Sequence, residues 1–276
     1  MMRNWSLRNL RVKSRHPSHS VLRRKNGGIL VPVLACVRFG SLTEWSRRDP
    51  NTGRVYELNS VEAIKTSMNK LLMKEAFTEN EVSTADWWTI REIEQQEEIP
   101  FPILAKLKFG SRGRGMVRIN NQEELTNFLN RGETRTRDRY IFERYYNYVR
   151  EYRLHVSKDG CFYACRKMLK SDTPEEQRWF RNDSNCVWYL EDNEAFDRPV
   201  NWNSIVQECV KALNAVGLDF GACDVRVQGS TNGDGERRES PKFIIVEINS
   251  APSFGEVTAE KYKKELPKIL KSKYSI

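Results

Sequence analysis

Three groups of residues in this chain have types and spacings that could do chemistry. The first is Lys106, at the end of a short apolar run (103–107), followed by the glycine-rich stretch KFGSRGRG at 108–115. Glycines let a backbone fold over phosphates with its N–H groups pointing inward, and a lysine on the preceding strand can neutralise a phosphoryl oxygen. GxxxxGK[ST] is absent and a strand pattern follows the loop, which excludes a Walker A loop and a dinucleotide fingerprint. Taken alone, the stretch also fits a flexible hairpin turn. The second group is Asp224 with Glu247 and Asn249. Positions 247 and 249 share one face of a strand, and Asp224 on a neighbouring strand can reach the same face. Three hard oxygen donors beside a polyphosphate are the way Mg²⁺ is held. The competing reading is a solvated sheet face, which the apolar flanks of both strands disfavour. The third group, Glu151, Arg153, Arg166 and Lys167, sits on two strands of one predicted hairpin. Cations pointing into a phosphate site would stabilise a transferring phosphoryl group, but taken in isolation these residues are better read as ordinary cross-strand ion pairs. His155 is expected to be a packed strand residue.

The elements that must position these groups follow from periodicity and turn chemistry. ILVPVLACVRF (29–39) predicts a buried strand. A helical pattern starts after Ser60, a suitable cap, and runs to Phe77. Residues 94–102 form a polar connector. Strands are predicted at 103–107, 116–119 and 140–146, with a helix over 121–130 between the last two. A hairpin turning at Asp159-Gly160 follows. Residues 171–200 show no clear periodicity. A helix at 203–215, strands at 221–227 and 242–248 flanking a polar insertion, and an amphipathic helix from about Thr258 complete the chain.

At 276 residues the chain holds one or two domains with a real core. Hydrophobic residues make up 39% and charged residues 30%, which excludes bulk disorder. No apolar run approaches the roughly 20 residues of a membrane-spanning helix, and no secretory signal pattern opens the sequence. Six cysteines without a CxxC pair and three histidines without zinc spacing make a disulfide scaffold or structural zinc site improbable and fit a reducing compartment. The net charge is +9, but residues 1–25 hold eight Lys or Arg and no acid, so the remainder is nearly neutral. This basic arm reads as a solvated segment, as a contact for nucleic acid or an acidic peptide, or as a transit peptide.

The order PFPILAKLKFGSRGRGMVRINNQEEL, YIFERYY, REYRLHV, ACRK, GLDFGACDVRV and VEINSAPSF resembles the ATP-grasp superfamily over roughly residues 60–262. It looks most similar to the carboxylate–amine ligases typified by the ribosomal-protein glutamate ligase. The resemblance implies an α+β (α/β) fold in which two subdomains clamp ATP, preceded by a short, truncated N-terminal α/β region. The expected divisions are a basic arm (1–28), the short N-terminal region (29–65), a first subdomain with the phosphate-covering loop (66–143) and a second with the Mg²⁺ site (144–276). By position, Lys70 and Lys106 would reach the ATP phosphates. Gly110, Ser111, Gly113 and Gly115 would lie in the covering loop. Glu143, Arg144 and Tyr145 would form the hinge that bonds adenine through the backbone. Glu151 would lie near the ribose, and Asn185 would be a further nucleotide residue. Asp224, Glu247 and Asn249 would hold two Mg²⁺ ions, with Mn²⁺ an alternative and Glu247 bridging. Arg153, Arg166 and Lys167 would serve catalysis.

The implied activity is ATP-dependent amide formation between a carboxylate and an amine through an acyl phosphate, in a cytoplasmic enzyme without a membrane partner. Two alternatives share the fold: a phosphotransferase acting on a hydroxyl, and a non-catalytic ATP-binding protein that binds nucleic acid through its arm. The hinge reads Phe142-Glu143-Arg144-Tyr145 where the family usually has Q-E-[FY]-[IVL], and Arg166-Lys167 stands where the family has paired arginines. Lysine supplies charge but not the bidentate fork.

Overall fold

The computed structural model describes residues 10–14, 16–22, 35–111, 113–131, 137–182, 184–253 and 255–276. Three sheets organise these residues. Strands β1 (Leu10–Ser14), β2 (Ala35–Phe39) and β3 (Tyr56–Leu58) pair in parallel in that order. Strands β4 (Trp87–Trp88), β5 (Ile103–Leu107), β6 (Val117–Ile119) and β7 (Tyr140–Arg144) form an antiparallel sheet of order β4-β7-β5-β6. The largest sheet has the order β10-β9-β8-β11-β12, with β8 Arg150–Ser157, β9 Gly160–Leu169, β10 Cys186–Leu190, β11 Phe220–Val227 and β12 Phe243–Asn249.

Each sheet buries one face against helices. The expected single helix after Ser60 is two helices, α1 (Val61–Met68) and α2 (Lys70–Glu79), broken at Asn69. Ser60 caps the first by accepting from Ala63 N, and Asn69 caps the second by accepting from Leu71 N. Both pack with α5 (Trp202–Ala215) on the back of the five-stranded sheet, where Ile64, Met73, Phe77, Leu154, Val225 and Leu213 share a core. Helices α3 (Ile90–Gln95) and α4 (Gln122–Asn130) cover the four-stranded sheet around Ile93, Ala105, Leu125 and Phe142. The final helix α6 (Glu256–Tyr274) packs on the parallel sheet through Tyr262, Leu266 and Leu270. No helix among the described residues is long and apolar enough to cross a membrane.

Two expectations change here. Residues 10–14, counted within the basic arm, are the edge strand β1, and 17–22 form a 3-10 helix whose His19 is buried and meets Pro252 O at 2.8 Å. The arm's cations at 11 and 13 therefore lie on a strand; its remaining cations, and residues 29–34 of the expected strand, fall outside the described residues. The aperiodic stretch 171–200 contains strand β10, an edge strand whose pattern is masked by turns on both sides.

Asn59 clasps the parallel sheet to the large one. It adopts a left-handed φ of 59°, which asparagine tolerates. Its amide donates to Arg38 O (3.2 Å) and Phe220 O (3.1 Å) and accepts from Asp219 N (2.9 Å) and Phe220 N (3.2 Å). Asn59→Ala would leave these buried groups unpaired, so it is expected to destabilise the protein by about 3 kcal/mol in urea denaturation. A loss below about 1 kcal/mol would show that the junction is held otherwise.

Candidate functional site

Residues from the four-stranded and five-stranded sheets line one cleft of about 830 Å³. On its upper wall, β5 places Lys106 towards the cleft while its neighbour Ala105 faces the core. Lys106 Nζ donates to Glu143 Oε2 at 2.7 Å. Glu143 is buried, and Lys74 Nζ, fully buried, lies 3.5 Å from the same oxygen. Burial alone would raise the Glu143 carboxyl, but Lys106 and Lys74 hold it below its ordinary value. The covering loop turns at Gly113 (φ 70°) and Gly115 (φ 68°). A Cβ on Gly115 would come within 2.8 Å of Leu107 Cδ1, so this glycine serves the turn and does not line the cleft. Gly110, Ser111 and Gly113 do line it. Lys70, in the first turn of α2, spans the opening: its Nζ donates to Gly110 O at 2.9 Å and lies 3.3 Å from Glu247 Oε2.

The lower wall is the face of the large sheet turned away from α5. Asp224 pairs with Arg153 on one side and Glu247 on the other. A register shift between Asp224 and Val225 leaves Val246 as an extra residue on β12. This β-bulge matters, because strict alternation from the buried Ile245 would send Glu247 into the core. With the extra residue, Glu247 and Asn249 both face the cleft. Arg153 grips Asp224 with two hydrogen bonds, Nε to Oδ1 at 2.7 Å and Nη2 to Oδ2 at 2.8 Å. Asn249 Nδ2 donates to Glu247 Oε1 at 3.1 Å and to Asp224 Oδ2 at 3.4 Å. Burial lifts the Asp224 carboxyl above its usual range against the pull of Arg153. Burial would lift Glu247 too, but Lys70 foremost holds it down at about 2.

Two carboxylates and an amide on adjacent strands are a hard oxygen donor set and fit Mg²⁺. No cluster of three or more His, Cys, Asp or Glu able to hold a metal occurs among the described residues; this set has two carboxylates, and its third oxygen is the amide of Asn249.

Several expected site residues have other surroundings. Arg166 and Lys167 are adjacent on β9, so they point to opposite faces. Lys167 lines the cleft; Arg166 lies behind the sheet, where Nη1 donates to Ala195 O at 2.8 Å and sits 3.4 Å from Asp197. Asn185 does not line the cleft. It braces the 180–185 loop, donating to Phe180 O (3.1 Å) and accepting from Asn182 N (2.8 Å). At the hinge, Glu143, Arg144 and Tyr145 line the cleft. However, Arg144 N already donates to Asp86 O (2.8 Å) and Tyr145 N to Pro102 O (3.0 Å), so neither N–H is spare for a base. His155 is buried against Tyr262 OH at 2.9 Å, and burial pushes its imidazole down to about 3.

Three residues at the site escaped the sequence reading. Lys74 lies one helical turn after Lys70, a spacing that was available as a signal. Arg226 is two residues beyond Asp224 and shares its face by simple alternation. Arg181 comes from the aperiodic segment, where no local pattern marked it. Arg226 and Arg181 line the cleft with Glu151.

No family model and no curated protein matches the chain. Solved structures do. D-alanine–D-alanine ligase from Bacillus anthracis superposes with a TM-score of 0.53 at 12% identity, over 79% of this chain and 70% of that one. The same ligase complexed with ATP gives 0.52 at 12% identity, over 80% and 71%. The ATP-grasp ligase PsnB complexed with minimal precursor gives 0.49 at 16% identity, over 80% and 66%, a score too low to carry weight. At such identities the likeness speaks for architecture alone, and that architecture is the ATP-grasp fold.

Proposed function

We propose that this protein is an ATP-dependent ligase that joins a carboxylate to an amine. The observation that carries this reading is the convergence, in one cleft, of Lys70, Lys106 and the glycine-rich loop on one wall with Asp224, Glu247 and Asn249 on the other. Such a pairing of cationic and metal-ligating walls suits a polyphosphate held between them.

Lys70 and Lys106 bind phosphate oxygens, and the 110–115 loop covers them and excludes water. Glu247, Asn249 and Asp224 would hold Mg²⁺, which when bound would neutralise phosphate charge. The substrate carboxylate, positioned in line, attacks the γ-phosphorus, and the bond to the bridging oxygen of ADP breaks. The resulting acyl phosphate is attacked at its carbonyl carbon by the amine; phosphate leaves and the amine nitrogen gives up a proton. Arg153 faces the transferring group and stabilises its charge. The resemblance of the motif order to the carboxylate–amine ligases is what favours a carboxylate–amine pair over a hydroxyl acceptor.

Calorimetry with ATP tests the reading. Wild type is expected to bind ATP in a Mg²⁺-dependent manner, and Lys106→Ala to bind it roughly 10–100-fold more weakly, the equivalent of one charge-assisted hydrogen bond. ADP should then accumulate only when both a carboxylate and an amine are supplied. A folded wild type that binds no nucleotide would overturn the proposal, and a phosphorylated hydroxyl product would replace it with phosphotransfer.

A further inference from the structure

Glu151 on β8 is surrounded by cations from three separate elements. Lys167 Nζ on β9 lies 3.5 Å from Oε1. Arg226 Nε on β11 lies 3.2 Å from Oε2, and Arg181 Nη1, from the β9–β10 connection, lies 3.7 Å from the same oxygen. Only about a tenth of each side chain meets water: 8% for Arg181, 10% for Lys167, 11% for Glu151 and 12% for Arg226. One carboxylate cannot neutralise three cations, so the cluster keeps a local charge of about +2 in a poorly solvated wall, a state that is costly unless an anion completes it.

The other cations of the cleft are differently placed. Arg153 pairs with Asp224 and Lys70 with Glu247, while Lys106 and Lys74 share Glu143. The cluster at Glu151 sets three cations against one carboxylate. Its donors are preset by backbone carbonyls: Arg181 Nη2 donates to Val149 O (2.8 Å), Arg226 Nη2 to Trp179 O (3.2 Å) and Lys167 Nζ to Arg181 O (2.9 Å). Arg181 Nε is buried and makes no hydrogen bond among the described residues. Arg118, Arg150, Arg166 and Arg238 carry the same kind of unpaired guanidinium nitrogen outside this cluster, so the case for an oxyanion rests on the charge surplus.

We propose that Lys167, Arg181 and Arg226, held around Glu151, form an anion subsite that takes a doubly negative oxyanion group, phosphoryl or dicarboxylate, of the substrate that is not the nucleotide. The assignment to that substrate rests on the ligase reading above; the subsite itself rests on the charge count.

The test titrates inorganic phosphate and, separately, succinate into protein saturated with Mg²⁺ and a non-hydrolysable ATP analogue. Wild type should bind one of these dianions. Arg181→Gln and Arg226→Gln should each weaken it at least tenfold while shifting analogue affinity less than threefold. Glu151→Gln, which removes the only negative charge of the cluster, should strengthen dianion binding. Removing one of three repelling cations does not threaten folding, and Arg181→Lys serves as a charge-preserving control with an intermediate loss. Competition between dianion and analogue, or equal losses of both in the variants, would assign the cluster to the nucleotide and overturn the proposal. Dianion binding unchanged in the variants would also overturn it. Wild type that binds dianion but no analogue would keep the subsite and overturn the ligase reading instead.

Discussion

Glu247→Gln is expected to invert the metal dependence of nucleotide binding. With Mg²⁺ present, affinity should fall and turnover should drop by roughly 10²–10³-fold, the scale of losing one preorganised electrostatic group. Without Mg²⁺, the variant should bind ATP at least as tightly as wild type. The sign change follows from the geometry. Glu247 stands 3.3 Å from Lys70 and receives a hydrogen bond from Asn249. Its carboxyl, held at about 2 chiefly by Lys70, is ionised throughout the physiological range. A fixed negative charge beside a polyphosphate is repulsive unless a cation lies between them. Removing the charge relieves that repulsion and frees Lys70 for phosphate, but it also removes one of the three oxygen donors that would hold Mg²⁺. Calorimetry at two metal concentrations reads both halves of the prediction. Equal Mg·ATP affinity in variant and wild type would show that Asp224, Glu247 and Asn249 are not a metal site.

A stability loss as large as that of Asn59→Ala is expected from Glu143→Gln. Glu143 is buried between Lys106 and Lys74, and Lys74 is wholly inside the protein, with Nζ also donating to Thr84 Oγ1 at 2.5 Å. Removing the carboxylate charge leaves two neighbouring ammonium groups without their shared counter-ion, a loss of about 3 kcal/mol at pH 6–7. The effect should depend on pH. Burial pushes Lys74 down from its ordinary 10.5 to about 8, with Glu143 the main influence acting the other way. A lysine whose folded pKa is depressed binds fewer protons folded than unfolded between those two values, so its contribution to stability rises with pH from about 8 to 10.5. Without Glu143 the folded pKa falls further and this window opens at lower pH. The deficit of Glu143→Gln relative to wild type is therefore largest near pH 6 and shrinks by pH 9, where Lys74 is neutral in both proteins. Urea denaturation at the two pH values measures it. A deficit independent of pH would show that Lys74 does not respond to Glu143.

Both predictions depend on surroundings that the linear sequence announces unevenly. Lys106 before a glycine-rich loop, and Asp224 and Glu247 on apolar strands, were legible because strand periodicity and turn chemistry are local properties. Ser60 as a cap was legible for the same reason. The break at Asn69 was not. Asn69 interrupts an apolar pattern that runs on through Phe77; there the backbone turns extended (φ −102°, ψ 112°) and the Asn69 side chain caps the next helix by accepting from Leu71 N.

The amino-acid sequence by itself determined which segments become strands and helices over most of the chain, the order of the motifs, and hence the ATP-grasp architecture. Tertiary structure alone decided which face and which partner each charged side chain has. Alternation on β9 separates Arg166 from Lys167, but only the helices packed behind the sheet decide that Lys167 is the one in the cleft. The bulge at Val246 turns Glu247 out of the core, and no residue type signals it. Arg181 and Arg226 meet at Glu151 from segments 45 residues apart, and the buried Lys74 finds its partners, Thr84 and Glu143, on two other segments. Secondary structure follows from interactions a few residues long, whereas the charge balance of a site is a sum over neighbours that only the folded chain brings together.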